Sequence, residues 1–138
     1  MRYFLDTNVL FDLFQTERPH HAASNALIKL AVKEEVEVLT TATSVMTMLY
    51  SLGKYDLRMD LVIARLNALL PHIAVARIGT SELIAGINSG WNDLEDAIQF
   101  HAAITAGGVD AIVSNDKDFK QQEMIPVITP AQAVKRLK

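Results

Sequence analysis

Five aspartates in three places along this chain could meet around one cation. Asp6 closes the apolar run Tyr3-Phe4-Leu5, Asp93 and Asp96 stand three residues apart, and Asp116 and Asp118 follow Ala111-Ile112-Val113. If residues 93–105 are helical, Asp93 and Asp96 share a face. Two carboxylates about 5 Å apart repel by about 3 kcal/mol at an effective dielectric near 20. A pocket holding several must keep some protonated or take up a cation. An all-oxygen donor set favours Mg²⁺ or Mn²⁺ over Zn²⁺. One or two such ions pair with phosphate oxygens, activate water and steady a leaving oxygen. Each acid also has a plainer use as a helix cap or dipole partner. The combination is more specific than any member, and it points to phosphodiester hydrolysis.

For the acids to meet, the elements carrying them must sit side by side. Residues 2–5, 36–40, 73–78, 111–113 and 126–128 read as short apolar or β-branched strands, alternating with helical patterns. Such alternation predicts an α/β fold, a central, mostly parallel sheet of four to five strands with helices on both faces. In an open sheet of this kind the chemistry lies beyond the carboxyl ends of the strands. Asp6, Asp116 and Asp118 fall at such ends. If the first and fourth strands are neighbours, their loops converge, and the start of the sixth helix can sit above them.

The helices have readable punctuation. Thr7 or Asn8 is the expected cap of the first, over residues 9–15; Arg18-Pro19 breaks it, and a longer helix follows over 20–33. Thr43 or Ser44 is the expected cap of the third, over 45–52, with Gly53 as its stop. A fourth is expected over 56–70, with Leu57, Val62, Leu66 and Leu69 inward. A fifth follows Gly79-Thr80, with Leu83, Ile84 and Ile87 buried. Asn92 is the expected cap of the sixth, with Glu95 in capping-box register. Thr129 caps a last helix that opens on Pro130.

Composition narrows the classes. One domain over residues 1–138 is expected from length, with enough chain for a real core. Half the residues are hydrophobic (50%) and 21% are charged, which excludes a disordered chain. No apolar run is long enough to span a bilayer, and Asp6 interrupts any opening signal sequence. Cysteine is absent, which excludes disulfides and thiolate metal sites and fits a reducing, cytoplasmic setting. The net charge of −3 means that a nucleic-acid partner must be held by a local basic patch or by metal ions.

Other chemistries fit less well. An aspartyl phosphotransferase of the haloacid-dehalogenase type needs a second acid two residues after Asp6, where Asn8 stands. A receiver domain needs an acid pair at the end of strand one. No glycine-rich turn follows that strand, against a dinucleotide-binding fold. The histidines, His20, His21, His72 and His101, are scattered. Met46, Met48 and Met59 read as core filler. Trp91 reads as a packing anchor, with base stacking as its alternative. Lys54, Arg58 and Arg65 read as solvated helix faces, whereas Lys117 and Lys120 flank the acidic loop and could steer a phosphate backbone.

Taken together, these motifs resemble the PIN-domain family, close to its VapC-like toxin branch, over nearly the whole chain. Leu5-Asp6-Thr7-Asn8-Val9-Leu10 is similar to the family's opening motif. Asp93-Leu94-Glu95-Asp96-Ala97 is similar to its central acidic helix, and Val113-Ser114-Asn115-Asp116-Lys117-Asp118-Phe119 to its late strand and loop. The resemblance implies metal-dependent cleavage of single-stranded RNA. Asp6, Asp96 and Asp116 would be the catalytic, metal-binding acids with Asp93 and Asp118 as partners, and Mg²⁺ or Mn²⁺ the cofactor. Thr7 and Ser114 would be supporting hydroxyls, beside Asn8. In the VapC-like branch a small antitoxin typically blocks the cleft, and dimers are common. One position departs from the pattern: the glutamate usual in the third helix is missing, and Thr47 falls near its place. Thr47 cannot replace that charge. Asp93 or Glu95 could supply it from the other side; otherwise the chain is a weak or inactive module that binds RNA or an antitoxin.

Overall fold

A computed structural model describes residues 1–54 and 58–138. The first strand, β1 (Arg2–Leu5), lies at the centre of a five-stranded sheet. Beside it on one side are β2 (Glu37–Thr41) and β3 (Ile73–Ala76), on the other β4 (Ala111–Val113) and β5 (Val127–Ile128). Every pairing is parallel, with Phe4 opposite Leu39 on one side and opposite Ile112 on the other. The order β3-β2-β1-β4-β5 makes β1 and β4 neighbours, as the meeting of the acids requires. The mostly parallel sheet expected from the sequence is therefore observed, with five strands. Tyr3, Phe4 and Leu5 are all buried because a central parallel strand is covered on both faces. Tyr3 and Leu5 join one apolar cluster and Phe4, between them, joins the other, following the two-residue alternation of a strand.

The helices covering the first face are α1 (Thr7–Phe14), α2 (His21–Val32), α3 (Ala42–Lys54), α4 (Met59–Leu69) and α7 (Pro130–Arg136). The second face is covered chiefly by α6 (Leu94–Ala106), through Phe100 and Ala103, with α5 (Thr80–Ile87) packed outside it. Gly107, at φ 74°, ends α6 in a backbone conformation that a side chain would strain. Thr129 caps α7 as expected: its hydroxyl accepts from the Gln132 N–H at 3.2 Å, and its own N–H donates to Oε1 of Gln132 at 2.9 Å. Among the described residues, no helix is long and apolar enough to cross a membrane.

Several boundaries differ from the sequence expectation, each for a local reason. Helix α1 starts at Thr7, with Asp6 rather than Thr7 or Asn8 at the cap position. Helix α3 starts at Ala42, because the Thr41 hydroxyl accepts the Ser44 N–H at 3.1 Å. The same helix runs through Gly53 instead of stopping there. Of the fourth helix, Asp56 and Leu57 lie outside the described residues; Val62, Leu66 and Leu69 face inward as expected. The sixth helix is capped by Asp93, not Asn92, with Oδ1 of Asp93 accepting the Asp96 N–H at 3.0 Å. Met48 is core and Met59 packs against it, whereas Met46 is exposed. Arg58 pairs with Asp60, and Arg65 lies over the Phe14 ring and donates to Asn25.

The largest reversal is in α5. Leu83, Ile84 and Ile87, which the apolar spacing places inside, are exposed, while Glu82 and Gly86 are buried. A Cβ at Gly86 would lie 2.5 Å from Cγ1 of Ile98 and 2.8 Å from its backbone, so α5 meets α6 along the glycine side. Glu82 turns inward beside it, accepting from the Gly79 N–H at 2.7 Å and the Ser81 hydroxyl at 2.6 Å. Gly86→Ala is expected to overpack this contact and cost about 1–3 kcal/mol, read as a lowered urea midpoint at unchanged m. A midpoint equal to that of the native chain would show that α5 can back away from Ile98.

Candidate active site

The end of β1 delivers the first acid. The Asp6 N–H donates to the Val113 carbonyl at 3.0 Å, which ties the carboxyl ends of β1 and β4 together. Its side chain, 2% exposed, accepts from the Ser114 hydroxyl at 2.8 Å. The same Ser114 oxygen accepts the Asp116 N–H at 2.9 Å, and Oδ1 of Asp116 accepts the Asp118 N–H at 3.0 Å. One buried hydroxyl thus joins the first acid to the acidic loop. From the other face, the first turn of α6 brings Asp93 and Asp96. One carboxylate oxygen from each of Asp93, Asp96 and Asp118 fits within 4.8 Å of the others.

Electrostatics link the two groups. Burial pushes the Asp6 carboxyl up to about 6, against the pull of the Ser114 hydroxyl and the Thr7 and Asn8 N–H groups. Burial, then the charges of Asp6, Asp93, Asp116 and Asp118, push Asp96 up to about 8. Asp96 therefore feels all four other acids: the buried Asp6, the half-buried Asp116, and the exposed Asp93 and Asp118.

A second polar thread runs beside the acids. The hydroxyls of Thr41 and Ser44 lie 3.0 Å apart, and those of Ser44 and Thr7 lie 2.7 Å apart. Nε2 of Gln99 donates to Thr7 Oγ1 at 2.9 Å and to Oε1 of Glu95 at 3.3 Å. Burial raises the Glu95 carboxyl, with Asp93 adding to the rise. The Thr7 hydroxyl thus bears on Gln99 and Glu95 of α6, while its N–H faces the Asp6 carboxylate. Thr47, half-buried one turn beyond Ser44, makes no side-chain hydrogen bond among the described residues. Asn8, half-buried, faces a cleft on the other side of Asp116, which Lys117 also lines. Lys117 and Lys120 are exposed and together border a hollow reaching Ser114 and Asp116.

Three residues of this region carried no signal strong enough to single them out from the sequence. Asp12 sits on the buried stripe of α1, 1% exposed, and pairs with Arg18 at 2.7 Å. An acid three residues after Val9, on an otherwise apolar helix face, is the sign that could have found it. Gln99 is 1% exposed one turn beyond Glu95, and Thr41 ends β2; both read as ordinary polar positions. Trp91 stacks on Phe100, ring centroids 5.3 Å apart, which makes it the packing anchor expected. His101 packs edge-on against Phe100, and His21 contacts the Asp12 carbonyl.

Ser114→Ala would leave the Asp6 carboxylate and the Asp116 N–H without their shared partner. The expected cost is about 1–3 kcal/mol, measurable as a lowered urea midpoint. An unchanged midpoint would mean that water replaces the hydroxyl in full.

The PIN domain family model matches residues 2–118. The chain belongs to the PIN-domain family. This PIN domain is 28% identical over 140 residues to Ribonuclease VapC1 of Aquifex aeolicus (strain VF5), covering 98% of this chain and 94% of that one. Its fold is similar to that of the Mycobacterium tuberculosis VapC20 toxin, described as cleaving the sarcin-ricin loop. The TM-score is 0.66 at 17% identity, over 86% of this chain and 93% of that one. A toxin–antitoxin complex from Klebsiella pneumoniae gives a TM-score of 0.59 at 19% identity, over 93% and 97% of the two chains. The VapC-like resemblance of the PIN domain, first visible in its motifs, is borne out by these relatives.

Proposed function

We propose that this PIN domain is a divalent-cation-dependent endoribonuclease that cleaves single-stranded RNA, and that it works as the toxin of a toxin–antitoxin pair. The reading is supported by Asp93, Asp96 and Asp118, which bring one carboxylate oxygen each within 4.8 Å of the others, and by Asp6 and Asp116, which are not part of that group but lie near enough for their charges to act on Asp96. Their mutual repulsion adds to burial in holding Asp96 at about 8. An apolar or purely structural pocket has no use for such crowding. The donor set fits a hard cation: all the ligands are oxygens, and three of them already lie within 4.8 Å of one another. Asp6, Asp96 and Asp116, with Asp93 and Asp118, would hold Mg²⁺ or Mn²⁺. The bound ion would supply Lewis acidity toward a phosphate oxygen.

The protein's own groups do the rest. Ser114 fixes the Asp6 carboxylate and the Asp116 backbone together, so the two acids cannot drift apart. Asp96 would have to release its proton to bind a cation, so cation affinity would rise with pH through the range just below 8. Asp93 compensates for the acid missing from α3, because its carboxylate joins the cluster while Glu95 turns to Gln99. The name of the Klebsiella pneumoniae complex supports an antitoxin as partner. The exposed Leu83, Ile84 and Ile87 on α5 offer apolar surface of the kind partners cover. A homodimer and a cytoplasmic setting complete the proposal.

The test is cleavage of a labelled single-stranded RNA in Mg²⁺, in Mn²⁺ and in EDTA, by the native chain and by Asp6→Asn. Cleavage that needs a cation and is lost in the variant is expected. Equal rates in EDTA, or in both proteins, would remove the reading. The absence of an acid from α3 favours a second reading, a non-catalytic module that binds RNA or an antitoxin. Calorimetry with Mn²⁺ separates the two: heat of binding at sub-millimolar Mn²⁺ supports the enzyme, and none at millimolar Mn²⁺ supports the module.

A further inference from the structure

Next to the acids lies a cleft of 350 Å³ lined by Asn8, Asp12, Arg18, His20, Asn115, Asp116 and Lys117. Unlike the acidic pocket it carries cations, with Arg18 and Lys117 set against Asp12 and Asp116. Asp12 is buried, so its charge must be matched, and Nε of Arg18 does so at 2.7 Å. The Ser24 hydroxyl at 3.5 Å and the Asn115 amide at 3.4 Å approach Oδ2 of the same carboxylate. Nη1 of Arg18 donates to Gln15 at 3.3 Å, and the guanidinium lies over the Phe11 ring, 5.6 Å from its centroid. The arginine is therefore held on three sides before any ligand arrives. Its Nη2 makes no hydrogen bond among the described residues, and its side chain is 36% exposed.

With Asp12 neutralised by Arg18, the cleft keeps Lys117, His20 and two side-chain amides as donors, and Asp116 faces the acidic pocket as well. A planar guanidinium with a free edge, an ammonium and amides suit a phosphodiester group rather than a base or an apolar side chain. Asn115 and Asp116 border the cleft and sit in the acidic loop, so an anion here lies directly beside the acids.

We propose that this cleft holds a phosphate of the RNA strand next to the one at the acids, with the Nη2 edge of Arg18 as its principal donor and Lys117 as the second. The proposal rests on the ribonuclease reading for its substrate class. It makes Arg18 and Lys117 the residues that set which stretch of strand lies over the acids.

The test is fluorescence anisotropy of a labelled single-stranded oligoribonucleotide in EDTA over a range of salt, with the native chain, Arg18→Gln and Lys117→Gln. Removing the charge-assisted hydrogen bond from Arg18 to the phosphate is expected to weaken binding by about 10- to 100-fold. Each variant should also flatten the salt dependence by about 0.7 in log–log slope, one phosphate interaction on a single strand. Arg18→Gln can disturb Asp12, so thermal melting is followed alongside; if that variant does not fold, the exposed Lys117 decides the matter alone. Unchanged affinity and slope in every folded variant, or no binding by the native chain, would overturn the proposal. Cleavage in Mg²⁺ is scored separately. A chain that binds through Arg18 or Lys117 without cutting keeps the cleft and loses the ribonuclease. One that cuts with unchanged KM in the folded variants keeps the ribonuclease and loses the cleft.

Discussion

Asp96→Asn is expected to make the cation-free protein more stable at pH 7 and to abolish RNA cleavage in the same step. Asp6 and Asp96 hold their protons more tightly in the folded chain, at about 6 and about 8, than at the ordinary carboxyl value of 3.8. Between pH 4 and pH 8 the folded state thus binds more protons than the unfolded one, and stability falls as pH rises through that window. Asparagine keeps the shape of the side chain and spares the folded state the cost of holding at pH 7 a proton that the unfolded carboxyl releases. The gain at pH 7 is on the order of 2 kcal/mol, a rise of several degrees in Tm. At pH 4 the native side chain is itself protonated, and the two proteins should melt together. Cleavage should fall by at least about a hundredfold, since even the outer partners of a metal ligand contribute up to that much. Excess Mn²⁺ should stabilise the native chain more at pH 8 than at pH 6 and barely touch the variant. Equal melting temperatures at pH 7 would mean that Asp96 is not crowded by its neighbours.

The second large effect is expected at Phe119. This side chain is fully buried in the short 3-10 turn Asp118–Gln121, edge-on to Trp91 with centroids 6.2 Å apart. Trp91 in turn stacks on Phe100 of α6, so three rings lock the acidic loop onto the acidic helix. Phe119→Ala should cost about 3–5 kcal/mol. It should also weaken Mn²⁺ binding, because Asp116 and Asp118 lose the wedge that fixes their loop against Asp93 and Asp96. Phe119→Leu retains most of the apolar volume and should recover more than half of the stability. A cost below about 1 kcal/mol for the alanine would show that the loop is held by its own hydrogen bonds instead.

Much of this architecture is legible in the chain itself. Asp6 stands out because a carboxylate ending an apolar run has few structural excuses, and the strand alternation places it at a sheet edge. Asp93 and Asp96 stand out by their spacing, though the cap is displaced by one residue, from Asn92 to Asp93. The inward face of α5 does not. Apolar spacing points to Leu83, Ile84 and Ile87, but the decisive contact is made at Gly86 against the backbone of Ile98, which leaves no hydrophobic signature. Asp12 escapes notice because its partners are spread from Arg18 to Asn115, a juxtaposition that only the folded sheet creates.

The register of β1 has a consequence for synthesis. Its edge is completed by β4, more than a hundred residues later: the Arg2 N–H meets Asp110, and the Arg2 guanidinium meets the carbonyls of Ala106 and Gly107. Contacts this distant along the polymer close late in folding. A growing polypeptide on the ribosome therefore carries Asp6 without Ser114, Asp116 or Asp118 while the intervening hundred or so residues are made. The cutting centre proposed here would come into being only once residues 111–118 have emerged and β4 has paired with β1, leaving shorter nascent copies inert toward the RNA around them.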